Sequence, residues 1–579
     1  MHAVPCWKQA LVFRQNDLFL AVDDSTSAKT LTLADSIDGG KGTEDTLKIV
    51  TAGAIDNDDF SSNTIKGIEI VDIKSTGADV DLNTTADAVK NNFKDVTDLN
   101  ITTTTAAAAG DITATVNGTT NVTATATGAG ASITVTGGKA VSATATATGT
   151  AAITGDALTT VTVKGGNANT IDNTDADGNT SVGETLKSVT FEANAAGTNT
   201  VKGNAIDTLT LKDQIAALTT TITNDKSTAL TVNLNNVNGA TVNAGTKAET
   251  VTINSNGTKD NTLQFNAAAG KTLNITGDAK LTLVDADVAK DVVSTNTKGV
   301  TITTALGTDV KFTGGTGADT VTVAATTKAI TMGAGDDKVI YTAAAGTGGS
   351  VDAGAGKDTI SMTSALITSN IVTDGTGIFN NTFKNFEVLE VSTTGTSIVI
   401  DVEKINNVST VVLAAALTTS TINNLANNST VKFIADGVSL TANVKNSAGN
   451  TDVLNVELEG NVAVDAKQLT VNSVETINII SNDTKDTASG IAHLLNLKAD
   501  AATSIVVTGD AGVNLTSTTA AKVTNFDASA VTAGSVTFAS ANVTVGAAVS
   551  IKGGAGNDTL IGTAQANDTI IGGAGNDTI

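Results

Sequence analysis

Apolar and polar residues alternate one for one along most of the chain. Thr250-Val251-Thr252-Ile253-Asn254, Thr272-Leu273-Asn274-Ile275 and Leu281-Thr282-Leu283-Val284 are examples, each bounded by Gly, Asn or Asp. A period of two places alternate side chains on opposite faces of a strand, and the bounding residues are turn formers. Between about residues 229 and 340 these segments recur roughly every ten residues. The spacing predicts an all-β chain, a β-solenoid or β-roll made of arrays of short strands with Gly/Asp loops. A series of β-sandwiches is the alternative, and would carry more aromatic residues. Thr and Asn at repeated positions predict side-chain ladders along a solenoid. Residues 101 to about 155 are nearly all Thr, Ala, Gly, Val and Asn. That composition fits a flexible stalk, but the alternation of Ile133, Val135 and later Val141 favours thin strands.

Composition sharpens the β reading. Thr supplies about one residue in six, aromatics are 3%, and there is one Trp and one Tyr, so cores must be built from Val, Ile, Leu and Ala. Thr and Val favour pleated backbone and are mediocre helix formers. With 579 residues the chain exceeds one compact core. Its texture suggests an atypical leader (1–17), a β module with a first Gly/Asp loop (18–100) and a Thr/Ala/Asn-rich strand array (101–310). A roll of Gly/Asp repeats (311–362), a second β module (363–550) and C-terminal repeats (551–579) follow. The leader holds the only Pro, Cys, Trp and Arg (Pro5, Cys6, Trp7, Arg14) and is either foreign to the main fold or a cap. Its apolar runs are broken by Lys8, Arg14 and Asp17, so it does not read as a cleaved signal.

Charge and residue supply exclude several functions. Lys+Arg total 34 against 58 Asp+Glu, a formal net charge of −24. Such a chain repels phosphate backbones and anionic lipid, which argues against a nucleic-acid partner. Cys6 alone makes no disulfide and no cysteine cluster, and His2 and His493 leave little for imidazole catalysis or zinc. No apolar stretch approaches a membrane span.

The sharpest motif is at the C-terminus. Gly553-Gly554-Ala555-Gly556-Asn557-Asp558-Thr559-Leu560-Ile561 is followed by a degenerate copy with Asn567-Asp568-Thr569-Ile570, then by Gly572-Gly573-Ala574-Gly575-Asn576-Asp577-Thr578-Ile579. This is the G-G-x-G-x-D-x-U-x nonapeptide. Its glycines permit positive φ and turn carbonyl oxygens inward, its Asp adds a carboxylate, and its apolar residue forms a short strand. Calcium (Ca2+) wants about six to eight oxygens, which two adjacent loops supply. Internal copies carry Gly315, Gly317 and Asp319; Gly333, Gly335 and Asp337; and Gly354, Gly356 and Asp358. The first two aspartates are 18 residues apart, one full coil, with a glycine-free nonapeptide between them that predicts a one-sided metal column. The third follows after 21 residues, and the extra three predict a bulge or a break in register. A variant loop carries Gly40, Gly42 and Asp45. Calcium-free glycine turns are the alternative for all of these.

Two further signals stand out. Asn173 to Glu184 has the spacing of an EF-hand loop, with Asp175, Asp177 and Glu184 as candidate ligands, but begins with Asn and is flanked by strands. An acidic turn that binds nothing fits it equally well. Asn63 to Ile73 (NTIKGIEIVDI) and Asn381 to Val391 (NTFKNFEVLEV) share four identities, with echoes at Ala248 to Ile253 and Val474 to Ile479. Each is a strand led by Glu. No acid or histidine recurs beside Glu69 and Glu387 to make them catalytic. H-E-x-x-H, G-x-S-x-G and GxxxxGK[ST] do not occur in the sequence, so no metalloprotease, lipase or P-loop site is visible.

The nonapeptides resemble the RTX, or hemolysin-type calcium-binding, repeat family. The Thr/Ala/Asn/Val texture, the Glu-led strands, Val506 to Leu515 (VVTGDAGVNL) and Val523 to Ala530 (VTNFDASA) resemble type I secreted bacterial surface-layer (S-layer) proteins. The resemblance implies a structural, non-enzymatic protein, secreted to the bacterial cell surface. There calcium folds the roll and bridges protomers into a lattice, with cell-envelope polysaccharide a candidate anchor. It also implies an uncleaved C-terminal export signal, which is not visible before Ile579. A calcium-dependent adhesin of the same repeat family is the alternative. The repeat region of a secreted hydrolase or toxin is another.

Overall fold

The computed structural model describes residues 2–3, 16–23, 36–105, 110–173, 183–214, 217–267, 269–286, 289–372, 377–437, 439–485, 490–515, 518–564 and 567–579. The chain forms two compact units, Met1–Thr304 and Ala305–Ile579, and each is a parallel β-solenoid.

In the first unit the chain lays one strand on one face, turns a corner, and lays the next on the opposite face. Thr208–Lys212, Ala229–Asn235, Thr250–Asn256 and Thr272–Gly277 stack in parallel on one face. Leu218–Thr223, Ala240–Asn243 and Asn261–Asn266 stack on the other. Strands adjacent in sequence therefore sit on opposite faces, and pairing joins every second strand, which replaces the sandwich alternative. Apolar side chains of both faces meet inside, as with Val251, Ile253, Leu263 and Phe265, all at most 1% exposed. Each such burial contributes about 1.5–3 kcal/mol. The low-complexity stretch obeys the same rule with smaller residues. Asn121–Ala126, Ser132–Thr136, Ala140–Thr144 and Thr150–Thr154 are strands, and Ile133, Val135, Ala143 and Ile153 are fully buried.

The second unit repeats the plan. Thr320–Val323, Lys338–Tyr341, Thr359–Met362, Val388–Val391 and Thr410–Leu413 stack on one face. Ala329–Thr331, Ser350–Asp352 and Phe383–Lys384 stack on the facing side. An insertion with short helices at Ser364–Ile367 and Ile378–Thr382 packs Phe379 against Tyr341 and Phe383 at ring distances of 5.9 and 4.8 Å. Among the described residues no helix is long and apolar enough to cross a membrane.

Outward Asn and Thr form the expected ladders. Asn254 Nδ2 donates to Asn233 Oδ1 (2.7 Å), Asn266 to Asn243 (2.8 Å) and Asn472 to Asn443 (3.0 Å). Parallel in-register stacking brings identical positions of successive turns within hydrogen-bond reach, so one favourable pair repeats along the solenoid.

Candidate metal centre

The three internal Gly/Asp loops occupy one corner. Each lies between a strand of one face and the next strand of the other: Lys311–Thr313 to Thr320–Val323, Ala329–Thr331 to Lys338–Tyr341, and Ser350–Asp352 to Thr359–Met362. The glycine-free segment is at the opposite corner, so the one-sided arrangement of loops stands. The strands after the loops pair without slippage, Thr320 with Lys338 and Lys338 with Thr359. The three extra residues therefore cause no break in register. They bulge out in the other corner, between Tyr341 and Ser350, where Gly346 N–H reaches Thr326 O at 2.7 Å.

Stacking explains the glycines. Gly354 has φ +99°, and a Cβ there would lie 1.9 Å from Gly333 O. A Cβ on Gly356 (φ +153°) would lie 1.9 Å from Gly335 O, and one on Gly333 (φ +105°) 2.4 Å from Gly315 O. At Gly335 the carbonyl of Gly317 is 2.9 Å away. Backbone thus packs on backbone, which only glycine permits. The C-terminal loops repeat it: Gly573 and Gly575 would place a Cβ 2.1 Å from Gly554 O and 2.2 Å from Gly556 O.

The aspartates form a column of hydrogen bonds. Asp319 N–H donates to Asp337 Oδ1 (2.7 Å), Asp337 N–H to Asp358 Oδ1 (2.8 Å), and Asp358 N–H to Glu387 Oε2 (2.9 Å). Each aspartate carbonyl in turn accepts from the following rung, as Lys338 N–H on Asp319 O at 2.8 Å. Asp319, Asp337 and Asp358 are at most 1% exposed. Oδ2 of Asp337 and of Asp358 is buried with no hydrogen-bond donor. Burial pushes the Asp337 carboxyl up to about 7; the Asp319 amide opposes this, and the carboxylates of Asp319, Asp358 and Asp336 add to it. Burial likewise raises Asp358 to about 6, aided by Glu387, Asp336 and Asp352 against the Asp337 amide.

The other predicted residues divide. Asp45 is fully buried: its Oδ1 accepts Asp17 N–H (2.7 Å), its N–H donates to Glu69 Oε2 (3.0 Å), and its Oδ2 has no donor. A Cβ on Gly42 would lie 2.3 Å from that Oδ2, and Gly40 adopts φ +90°. Asp558 is satisfied at both oxygens, by Val536 N–H (2.8 Å) and Gly554 N–H (2.7 Å), and its own N–H donates to Asp577 Oδ1 (3.0 Å). Asp568 precedes Thr569–Ile571, a strand of the same sheet as Thr320–Val323, so it stands at the corner of the internal loops and opposite that of Asp558; the Val549 and Thr563 amides hold its carboxyl below the usual range. Glu184 is ion-paired with Lys226. Asp175 and Asp177 lie outside the described residues.

Glu69 and Glu387 are thereby explained without catalysis: each caps an aspartate column by accepting the last amide. Glu475 does the same for Asp452 N–H at 3.1 Å. Glu249, with no aspartate beneath it, pairs with Lys271 instead (2.8 Å). These capping glutamates and Asp452 are the residues that spacing rules missed; the repeated apolar-Glu-x-apolar pattern was the signal for the glutamates alone. His493 is also structural. It is fully buried, accepts Val464 N–H at Nδ1 (2.9 Å) and so donates from Nε2 to Asn482 O (2.9 Å), which fixes the neutral tautomer.

The donor set suits a hard cation in part. Buried carboxylate oxygens without donors want positive charge or a proton. Among the described residues no three acidic, His or Cys side chains converge on one point, so calcium would need backbone oxygens as well. The carbonyls of Gly315 and Gly333 each accept one loop amide, Ala334 N–H at 2.7 Å and Ala355 N–H at 2.9 Å, and keep a second lone pair. No protein-family model matches the chain, and no curated protein matches it significantly. Function therefore rests on the residues themselves.

Proposed function

We propose that the protein is a structural, non-catalytic β-solenoid of the bacterial cell surface, of the S-layer kind, whose aspartate corner is filled by calcium. One observation carries this: the stacked carboxylates of Asp319, Asp337 and Asp358, with buried Oδ2 atoms on Asp337 and Asp358 that no protein donor reaches. These three side chains, with carbonyls of their loops, would hold the ion. Calcium supplies positive charge that offsets their mutual repulsion. In calcium-poor surroundings the column repels itself and loosens; in calcium-rich medium it stiffens. The net charge of −24 supports the reading, since a surface so acidic associates with its own copies more readily when divalent cations bridge them.

The test is a calcium titration of chelator-treated protein, followed by circular dichroism and negative-stain microscopy on the same samples. Gain of β-signal with ordered sheets is expected. Gain of β-signal with dispersed molecules would replace the lattice by an adhesin role. An unchanged spectrum and unchanged melting would overturn the calcium assignment.

A further inference from the structure

The Glu-capped aspartate occurs a third time, in a stretch with no glycine-rich repeat. We propose that Asp452 and Glu475 form a separate divalent-cation site. Asp452 is 8% exposed and ends the loop Asn446-Ser447-Ala448-Gly449-Asn450-Thr451. Its N–H donates to Glu475 Oε2 (3.1 Å), and its carbonyl accepts Glu475 N–H (3.2 Å) and Thr476 N–H (3.0 Å). These bonds fix it to the next turn as Asp358 is fixed to Glu387. Its Oδ2 is buried without a donor.

Two features separate this site from the glycine loops. A Cβ on Gly449 would lie 3.3 Å from Asp452 Oδ2, against 2.3 Å from Gly42 to Asp45 Oδ2. The carboxylate is thus less closely covered by its own loop. The loop above it is exposed or half-buried throughout, so its carbonyls and water complete an oxygen shell of the kind a hard cation takes. An asparagine can make the same kind of bond with nothing left over. Asn92 accepts Ile65 N–H (2.9 Å) and donates to Phe60 O (3.0 Å), leaving no atom unsatisfied. The buried, acceptor-only Oδ2 of Asp452 calls for a cation or a proton, and the titration below separates the two.

The inference shares the calcium reading above but rests on other residues. The experiment is calorimetric titration of the full chain with calcium, comparing wild type, Asp452→Asn, Glu475→Gln and Asp358→Asn. Asparagine has the same size and shape, and Asn169, at the equivalent place just before the strand Thr170–Asp172, shows that such a corner accepts it. Asp452→Asn is expected to lose one site per chain, and Glu475→Gln to weaken that site about tenfold, as loss of a supporting charge does. Asp452→Asn with the wild-type number of sites would overturn the proposal. If Asp358→Asn loses a site and Asp452→Asn does not, this inference alone fails. If the reverse holds, the glycine-loop column fails and this site stands. A wild-type chain that takes up no calcium overturns both.

Discussion

Two corners, one in each unit, make the same hydrogen bond with different residues. In the first unit Asn169 Oδ1 accepts Ala151 N–H (2.9 Å), and Asn169 N–H donates to Asn199 Oδ1 (3.2 Å). In the second, Asp337 and Asp358 do this for Asp319 and Asp337 at 2.7 and 2.8 Å. The glycines match too: a Cβ on Gly165 would lie 2.0 Å from Ala145 O, and one on Gly354 1.9 Å from Gly333 O. Only the second side-chain atom differs. Asn169 Nδ2 donates to Asn199 Oδ1 at 3.0 Å, whereas Asp337 Oδ2 meets no donor. The solenoid builds this corner from neutral residues, so the aspartates are not needed for the turn. They add negative charge where the fold did not require it.

The largest effect should leave the comparison intact. Gly165→Ala and Gly354→Ala each force backbone apart at a positive φ, and each is expected to cost about 2–4 kcal/mol or more in chemical unfolding. If only one is costly, the corners are not equivalent. Asn169→Asp transplants the charged corner. It replaces a donor by an acceptor and should cost about 1–3 kcal/mol, read as a lower denaturant midpoint. The converse, Asp337→Asn, should raise stability in chelator by about 1 kcal/mol and shrink the stabilisation that calcium confers. A variant less stable than wild type in chelator would mean that Asp337 Oδ2 has a use the Asn corner lacks.

Acidity tests the same point. Asp337 is raised to about 7 in the fold from about 3.9 when unfolded, so the folded chain holds the proton more tightly across that interval. Its contribution is favourable below about pH 4 and is lost as pH rises through about 7. Melting temperature in chelator should therefore fall between about pH 4 and 7 and level off above that, and Asp337→Asn should flatten the slope. The smallest effect is at the cap. Glu387→Gln keeps an acceptor for the Asp358 amide and should change stability by under about 0.5 kcal/mol.

Much of this was legible because glycine and aspartate are diagnostic in small numbers. The G-x-G-x-D spacing located the loops, and alternation at Ile133 and Val135 located strands even where composition suggested a stalk. The count of 21 residues between Asp337 and Asp358 announced a bulge or a break in register; the bulge is what forms, but a coil has two corners and a residue count does not say which absorbs the excess. The capping glutamates lie 24, 29 and 23 residues from their aspartates. Those unequal intervals hide a constant vertical neighbour. Asp452 was invisible for a simpler reason: its loop has one glycine, and nothing in the local sequence separates it from any polar turn.

The bulge between Tyr341 and Ser350 has a practical side. Three added residues leave the strands before and after them paired residue for residue. A coil that tolerates length there is a natural grafting position. A foreign epitope inserted near Gly348, which a Cβ would meet only at 3.7 Å, would be displayed once per molecule on the side away from the aspartates. Chain length at that corner is uncoupled from the register of the rungs.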